Sequence, residues 1–151
     1  MNALALREAR AGDLETLVEF NLKLASETED KTLEPATLRK GIAAVLADPT
    51  KGFYLVAERE GRVVGQLMVT TEWSDWRNGD WWWFQSVYVA AEARRQGVFR
   101  ALYDSIVERS RAAGARGLRL YVEKENRTAQ ATYAALGMKL ARYQIFELGE
   151  E

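Results

Sequence analysis

Val87-Tyr88-Val89-Ala90-Ala91-Glu92-Ala93-Arg94-Arg95-Gln96-Gly97-Val98-Phe99-Arg100 changes character halfway along. Its first residues are β-branched and aromatic, the types that suit a strand. From Val98 onward the apolar positions Val98, Leu102 and Ile106 recur at helical spacing. A short Arg-rich loop joins the two, and the helix begins at Gly97 to Arg100. The first N–H groups of a helix lack internal partners, and the helix dipole there favours an anion. Gly97 removes a side chain where a phosphate must approach the backbone, and Arg94, Arg95 and Arg100 supply charge around it. The residues alone are equally compatible with a solvated loop and a turn glycine. No Gly-Lys-Ser or Gly-Lys-Thr occurs, which excludes a Walker A loop, and Gly97 stands alone, which excludes the dinucleotide fingerprint.

Upstream, the spacing predicts a strand at 4–9 and a helix from Leu14 to about Leu24 with Asp13 as N-cap. A second helix is expected from Pro35 or Ala36 to about Leu46, preceded by Thr32 or Glu34. Strands follow at 53–58 and 63–71 around a Glu60-Gly61-Arg62 turn, then a loop at 72–80 and a long strand at 81–89. Period two places Trp81, Trp83, Gln85, Val87 and Val89 on one face of that strand, with Trp82, Phe84, Ser86 and Tyr88 on the other. Downstream come the helix to about Ala113, a strand at 118–122, a helix from Asn126 or Thr128 to Gly137, and a last strand from Met138 to Leu148. An antiparallel meander passing into a β-α-β crossover makes a mixed α+β sheet with helices against it. Repeats and linkers are absent, so residues 1–151 read as one domain.

Composition removes whole classes of chemistry. Without cysteine there is no disulfide, thiol nucleophile or zinc–thiolate site, and without histidine there is no Ser-His-Asp triad or imidazole base. No metal site is expected. The formal net charge is −1, so bulk charge does not suit nucleic-acid binding. Charge is nevertheless polarised along the chain: seven Arg face three acidic residues between Ala91 and Arg119, while residues 1–50 hold six basic and nine acidic. Charged residues throughout the first twenty positions exclude a signal peptide, and no apolar run approaches the roughly 20 residues that span a bilayer. A cytoplasmic, non-membrane protein is the expectation.

A second motif lies one strand further on: Asn126-x-x-Ala129-x-x-x-Tyr133-x-x-x-Gly137-Met138. Asn126 can cap the helix or bond a ligand amide, Ala129 and Tyr133 share a helix face, and Gly137 allows a left-handed exit. The pair of motifs resembles the GNAT N-acetyltransferase superfamily. Its acyl-CoA segment reads Gln/Arg-x-x-Gly-x-Gly/Ala, with Arg94, Gly97 and Phe99 at the marked positions, Phe99 replacing the small residue. Its later signature ends in Gly-Phe, where this chain has Met138. Element order matches from Leu4 to Glu147. The resemblance implies the acyl-CoA N-acyltransferase fold, a mostly antiparallel twisted sheet with helices on both faces, and acetyl-CoA as co-substrate. It implies that the amides of Arg95, Gln96, Gly97, Val98, Phe99 and Arg100 hold the pyrophosphate. It also implies that Val87, Tyr88 and Val89 pair with the pantetheine arm, and that Tyr133 is the general acid at the CoA sulfur.

The implied chemistry is direct attack of an amine on the thioester within a ternary complex. Base candidates are Glu72, Asp75, Asp80, Glu123 or a water chain, with Glu123 preferred among the side chains. Gln85 stands near the family's usual carboxylate and can position water or substrate but cannot accept a proton. All five tryptophans lie between Trp73 and Trp83. Trp73 and Trp76 could wall an acceptor pocket, stack over a cation or pack across a homodimer. With Trp83, Glu27, Asp30 and Glu72 they make the expected acceptor region acidic and aromatic, which favours a small-molecule amine. A protein or peptide amine, or non-catalytic acyl-CoA binding, are the alternatives. A homodimer is expected, and nucleic acid is not.

Overall fold

The computed structural model describes residues 3–150. The chain divides into a unit ending at Tyr121 and a second beginning at Val122. In the first, strands β1 (Ala5–Glu8), β2 (Phe53–Arg59), β3 (Arg62–Ser74), β4 (Gly79–Val89) and β5 (Gly117–Leu120) form one sheet in sequence order. The first four strands are antiparallel neighbours and β5 joins β4 in parallel, so the sheet is mixed as expected. Helices α1 (Leu14–Glu29) and α2 (Pro35–Ala47) precede β2, and α3 (Val98–Ala112) makes the crossover to β5.

Apolar stripes seat the helices on opposite faces of this sheet. Val98, Leu102 and Ile106 of α3 are buried against Leu55, Ala57, Leu67, Val69 and Phe84. Leu17 and Val18 of α1 and Ile42 of α2 close over Tyr54 and Val56, which alternate with that first set along β2. Glu34 starts α2 by accepting from the Thr37 N–H, with Pro35 in the first turn where its missing N–H costs nothing. Asp13 does not cap α1 as expected. Its carboxylate accepts two bonds from Arg7 (2.7 and 2.9 Å) and one from the Arg10 N–H (2.8 Å), so a partly buried ion pair to β1 outcompetes the cap.

Two expectations about β4 are corrected. Residues 72–80 are mostly ladder, with β3 and β4 running to Ser74↔Gly79 and leaving only Asp75 to Asn78 in the turn. The strict alternation also fails. The register shifts between Gln66 and Met68, so one β3 residue, Leu67, faces both Ser86 and Val87. Ser86 sits at φ 51, a bulge that turns every later side chain to the other face. Val87 and Val89 therefore join Trp82 and Phe84 beneath α3, while Tyr88 packs with Phe20 on the α1 side. Fully buried Gln66 donates to the Ser86 carbonyl at 2.8 Å, satisfying a group that the bulge takes out of the ladder.

The bulge also marks where β4 loses its outer neighbour. Pairing with β5 covers Trp81↔Gly117 to Phe84↔Leu120 and stops there. From Gln85 to Val89 the β5-side edge of β4 has no strand partner among the described residues.

The second unit holds α4 (Arg127–Ala135), capped by Asn126, whose Oδ1 accepts from the Ala129 N–H at 3.1 Å. Gly137 at φ 93 ends it, with the Met138 N–H reaching the Tyr133 carbonyl at 3.0 Å. The strand expected from Met138 to Leu148 is not formed: no described residue after α4 is in a strand. Apolar residues there fall on both parities, and Leu140, Phe146 and Leu148 are almost fully exposed. A strand exists only through its ladder, and these residues have none.

Candidate active site

The Arg-rich turn follows directly from the unpaired end of β4. Ala90 anchors it by donating to the Val64 carbonyl (2.9 Å), and the Ala93 N–H bonds back to Ala90 (2.9 Å). Arg95 (φ 63) and Gly97 (φ 81) then both take left-handed conformations, which bend the chain into α3. No side chain caps α3, and its first turn holds no acidic residue. The positive end of the α3 dipole therefore faces the turn with no acidic side chain against it.

The side chains around this turn divide into two groups. Val98 is buried and Phe99 turns inward, packed on the main core with its ring 6.0 Å from Tyr103. The bulky residue in place of Gly or Ala therefore lies under the helix and not over the amides. Arg95 and Arg100 are exposed, Arg100 bonding Asp104 one turn on at 3.0 Å. Gln96 is braced on both sides, accepting from Arg59 Nη1 (2.6 Å) and donating to the Glu92 carbonyl (3.0 Å). Arg59 was not among the sequence candidates. Its position at the end of β2, one hairpin away from the end of β4, becomes readable only once the strand register is known.

Arg94 does something different. Its Nε donates to the Val89 carbonyl (2.9 Å), its Nη2 donates to Glu27 Oε1 (2.8 Å), and its guanidinium lies 5.3 Å from the Tyr88 ring centroid. The Tyr88 hydroxyl donates to the other oxygen of Glu27 at 2.7 Å. Arg94 foremost, then Tyr88, hold the Glu27 carboxyl below the usual carboxylate range, while burial and then Glu27 push the Tyr88 hydroxyl up. Glu27, expected in the acceptor region, is therefore bound to the Arg-rich turn. Asp30 ends α1 in a left-handed conformation, exposed.

The remaining candidates lie elsewhere. Gln85 sits beside the bulge, its amide 3.4 Å from Thr70 Oγ1. Glu72 accepts from the Trp83 indole N–H (2.9 Å) and faces Arg119 at 3.6 Å; Trp83 stacks on Tyr121 with centroids 4.6 Å apart. Arg119 lies 3.7 Å from the centroid of Trp81, completing an aromatic and ionic cluster on β3, β4 and β5. Trp73 lines an open cavity of about 380 Å³ with Thr71, Asp80, Trp82 and Gly114, beyond the far end of β5 from the turn. Trp76, at the hairpin tip, is 85% exposed. In the second unit, Glu123 accepts from the Glu125 N–H (2.9 Å) and is exposed, so its carboxylate is engaged by its own loop. Tyr133 is half-buried on α4, and burial pushes its hydroxyl above the ordinary phenol value.

Residues 15–138 match the Acetyltransferase (GNAT) family. The chain belongs to that family, and its fold is the GNAT fold. A solved structure of a possible acetyltransferase from Clostridium difficile 630 is 46% identical, covers 98% of each chain and superposes with a TM-score of 0.93. A ribosomal-protein-alanine N-acetyltransferase from Brucella melitensis biovar Abortus 2308 shares the fold at 14% identity (TM-score 0.79; 99% and 100% covered). A transcriptional regulator from Bacillus halodurans C-125 does so at 23% (TM-score 0.81; 98% and 100% covered). No curated protein matches the chain. Among the described residues no helix is long and apolar enough to cross a membrane.

Proposed function

We propose that this acyltransferase moves the acetyl group of acetyl-CoA to a primary amine by direct displacement. The observation that carries the proposal is the continuity of two features: the edge of β4 unpaired from Gln85 to Val89, and the left-handed turn that delivers it to an uncapped α3. An extended amide-bearing arm suits the first and a diphosphate suits the second. The amides of Arg95 to Arg100 hold the phosphates, with Arg95 and Arg100 adding charge, while Val87, Tyr88 and Val89 offer backbone groups to the arm. The bound co-substrate supplies an activated thioester.

In the proposed reaction the amine nitrogen forms the new C–N bond as the C–S bond breaks. One proton leaves nitrogen and one is taken up by sulfur. Tyr133 is the donor: burial keeps its hydroxyl protonated at neutral pH, available for transfer. Gln85 positions the amine or a water, and Asn126 holds the start of α4 in place. With Glu123 engaged by its loop, a water chain is the better route for the amine proton.

The acceptor is a small amine, a reading supported by the acidic and aromatic set of Glu72, Trp83 and Tyr121 on the sheet. A peptide amine is the second reading, favoured by the exposure of Trp73 (62%) and Trp76 (85%), which close no wall. The protein is a cytoplasmic homodimer; exposed Leu140, Phe146 and Leu148 supply apolar surface for a second copy, and light scattering of the purified chain tests the stoichiometry. Calorimetric titration with acetyl-CoA, repeated with dephospho-CoA, tests the site: one-to-one micromolar binding is expected, and none at millimolar concentration refutes it. A panel of free amines set against short peptides then separates the two acceptor classes.

A further inference from the structure

The Arg-rich turn contains two left-handed residues, one of them non-glycine, which local sequence does not hold by itself. Something outside the turn must fix it. Arg94 reaches from the turn to both β4 and α1. It fastens backward to the Val89 carbonyl and sideways to Glu27, and it covers the face of Tyr88. Tyr88 is 5% exposed, packs 5.2 Å from the Phe20 ring of α1, and is held by the same carboxylate. Two of the Arg94 nitrogens are thus spent on protein acceptors, and the Glu27 carboxylate receives one bond at each oxygen.

We propose that Glu27 is a positioning residue for the anion turn: through Arg94 and Tyr88 it ties the end of α1 to the end of β4 and sets the path of Arg95 to Gly97. In this arrangement Arg94 is a strut and not a phosphate ligand. The proposal rests on the acetyl-CoA reading for its consequence in binding, but the geometry it asserts belongs to the free protein.

Electrostatics and geometry predict opposite signs for one substitution. Glu27 is a negative charge beside a site for anions, so its removal should tighten anion binding if charge alone mattered. If the strut matters, Glu27→Gln weakens binding, because the turn loses its fixed shape. We expect acetyl-CoA affinity about fivefold lower in Glu27→Gln. Arg94→Gln should do the same, and the double variant should be no worse than either single one, since both act on one contact. Amide hydrogen exchange of the free protein supplies a second readout. The N–H groups of Ala93 (to Ala90, 2.9 Å), Arg94 (to Ala91, 3.4 Å) and Ala101 (to Gly97, 3.0 Å) report on the closed turn. They should exchange several-fold faster in Glu27→Gln, with amides at the centre of β2 unchanged.

Unaltered or tighter acetyl-CoA binding by Glu27→Gln overturns the proposal, as does unchanged exchange at those three amides. Additive losses in the double variant overturn it too, since they would make Arg94 a ligand in its own right. If the unaltered protein binds no acetyl-CoA but exchange still rises in Glu27→Gln, the strut stands and the acetyl-CoA reading falls.

Discussion

Gly65 lies near the start of β3, directly under the start of α3. A Cβ there would stand 2.7 Å from Val98 Cγ1, 3.4 Å from Leu102 Cδ1 and 3.5 Å from the Tyr88 carbonyl. The nearest atom belongs to a short β-branched side chain on a helix, which has essentially one rotamer and cannot swing away. Gly65→Ala must therefore push the first turn of α3 off the sheet by roughly 1 Å to restore ordinary contact. Overpacking of this kind costs about 1–3 kcal/mol, offset by about 0.5–1 kcal/mol for replacing a strand glycine. The net expectation is a loss of about 0.5–2 kcal/mol, seen as a fall in Tm of about 1–8 °C. Because the displaced turn carries the amides of Val98 to Arg100, acetyl-CoA affinity should fall in the same variant. Val98→Ala introduced alongside it removes the clashing methyl groups. A double-mutant cycle by denaturant melts should then show a favourable coupling of at least about 0.5 kcal/mol. A Gly65→Ala protein as stable as the parent, or a cycle with no coupling, would refute the close approach of α3 to β3.

Other expectations concern single groups. The Arg7 guanidinium holds the Asp13 carboxyl below its ordinary value, so the pair's contribution is complete above about pH 4 and is lost as pH falls through the native value. Asp13→Asn should cost about 2–3 kcal/mol at pH 7, and melts at decreasing pH should show the two proteins converging. Phe99→Ala, which installs a family-type residue, should destabilise by about 1–3 kcal/mol without tightening acetyl-CoA, since the ring fills core space; a gain in affinity would show that it obstructs the site. Tyr133→Phe should lower kcat about 10²–10³-fold with acetyl-CoA affinity unchanged by calorimetry. Equal loss of both would remove Tyr133 from the general-acid role. With the hydroxyl pKa raised, turnover should show no alkaline decline from Tyr133 below the ordinary phenol value.

Strong local patterns carried the sequence reading a long way. The stripes of α1, α2 and α3, the Glu60-Gly61 turn and the order of elements through α4 follow from periods that neighbouring strands reinforce. The turn and helix start at Gly97 were readable because glycine, arginine and a helical apolar stripe coincide there. What failed depended on contacts distant in sequence. Asp13 looks like a cap until Arg7 is placed beside it on β1. Nothing in Gln85-Ser86-Val87 announces a bulge, because the extra residue is defined only against Leu67 on the next strand. Glu27 is an ordinary helix glutamate until β4 brings Tyr88 and Arg94 to it. The segment after Met138 has the composition of a strand, and composition cannot supply the partner that a strand requires.

The five tryptophans share one region of the fold. All five sit on the half of the β3–β4 hairpin that ends at the Asp75 to Asn78 turn. From Trp83 to the Arg-rich turn the chain runs about 20 Å along β4. Intrinsic fluorescence therefore samples one end of the molecule. Quenching and spectral shifts will report on the hairpin, its open cavity and whatever docks there, and will be nearly blind to events at the start of α3. A fluorescence melt that precedes the far-UV circular dichroism transition would mean that the hairpin frays before the sheet, and single-probe stabilities from tryptophan should be read as those of the hairpin.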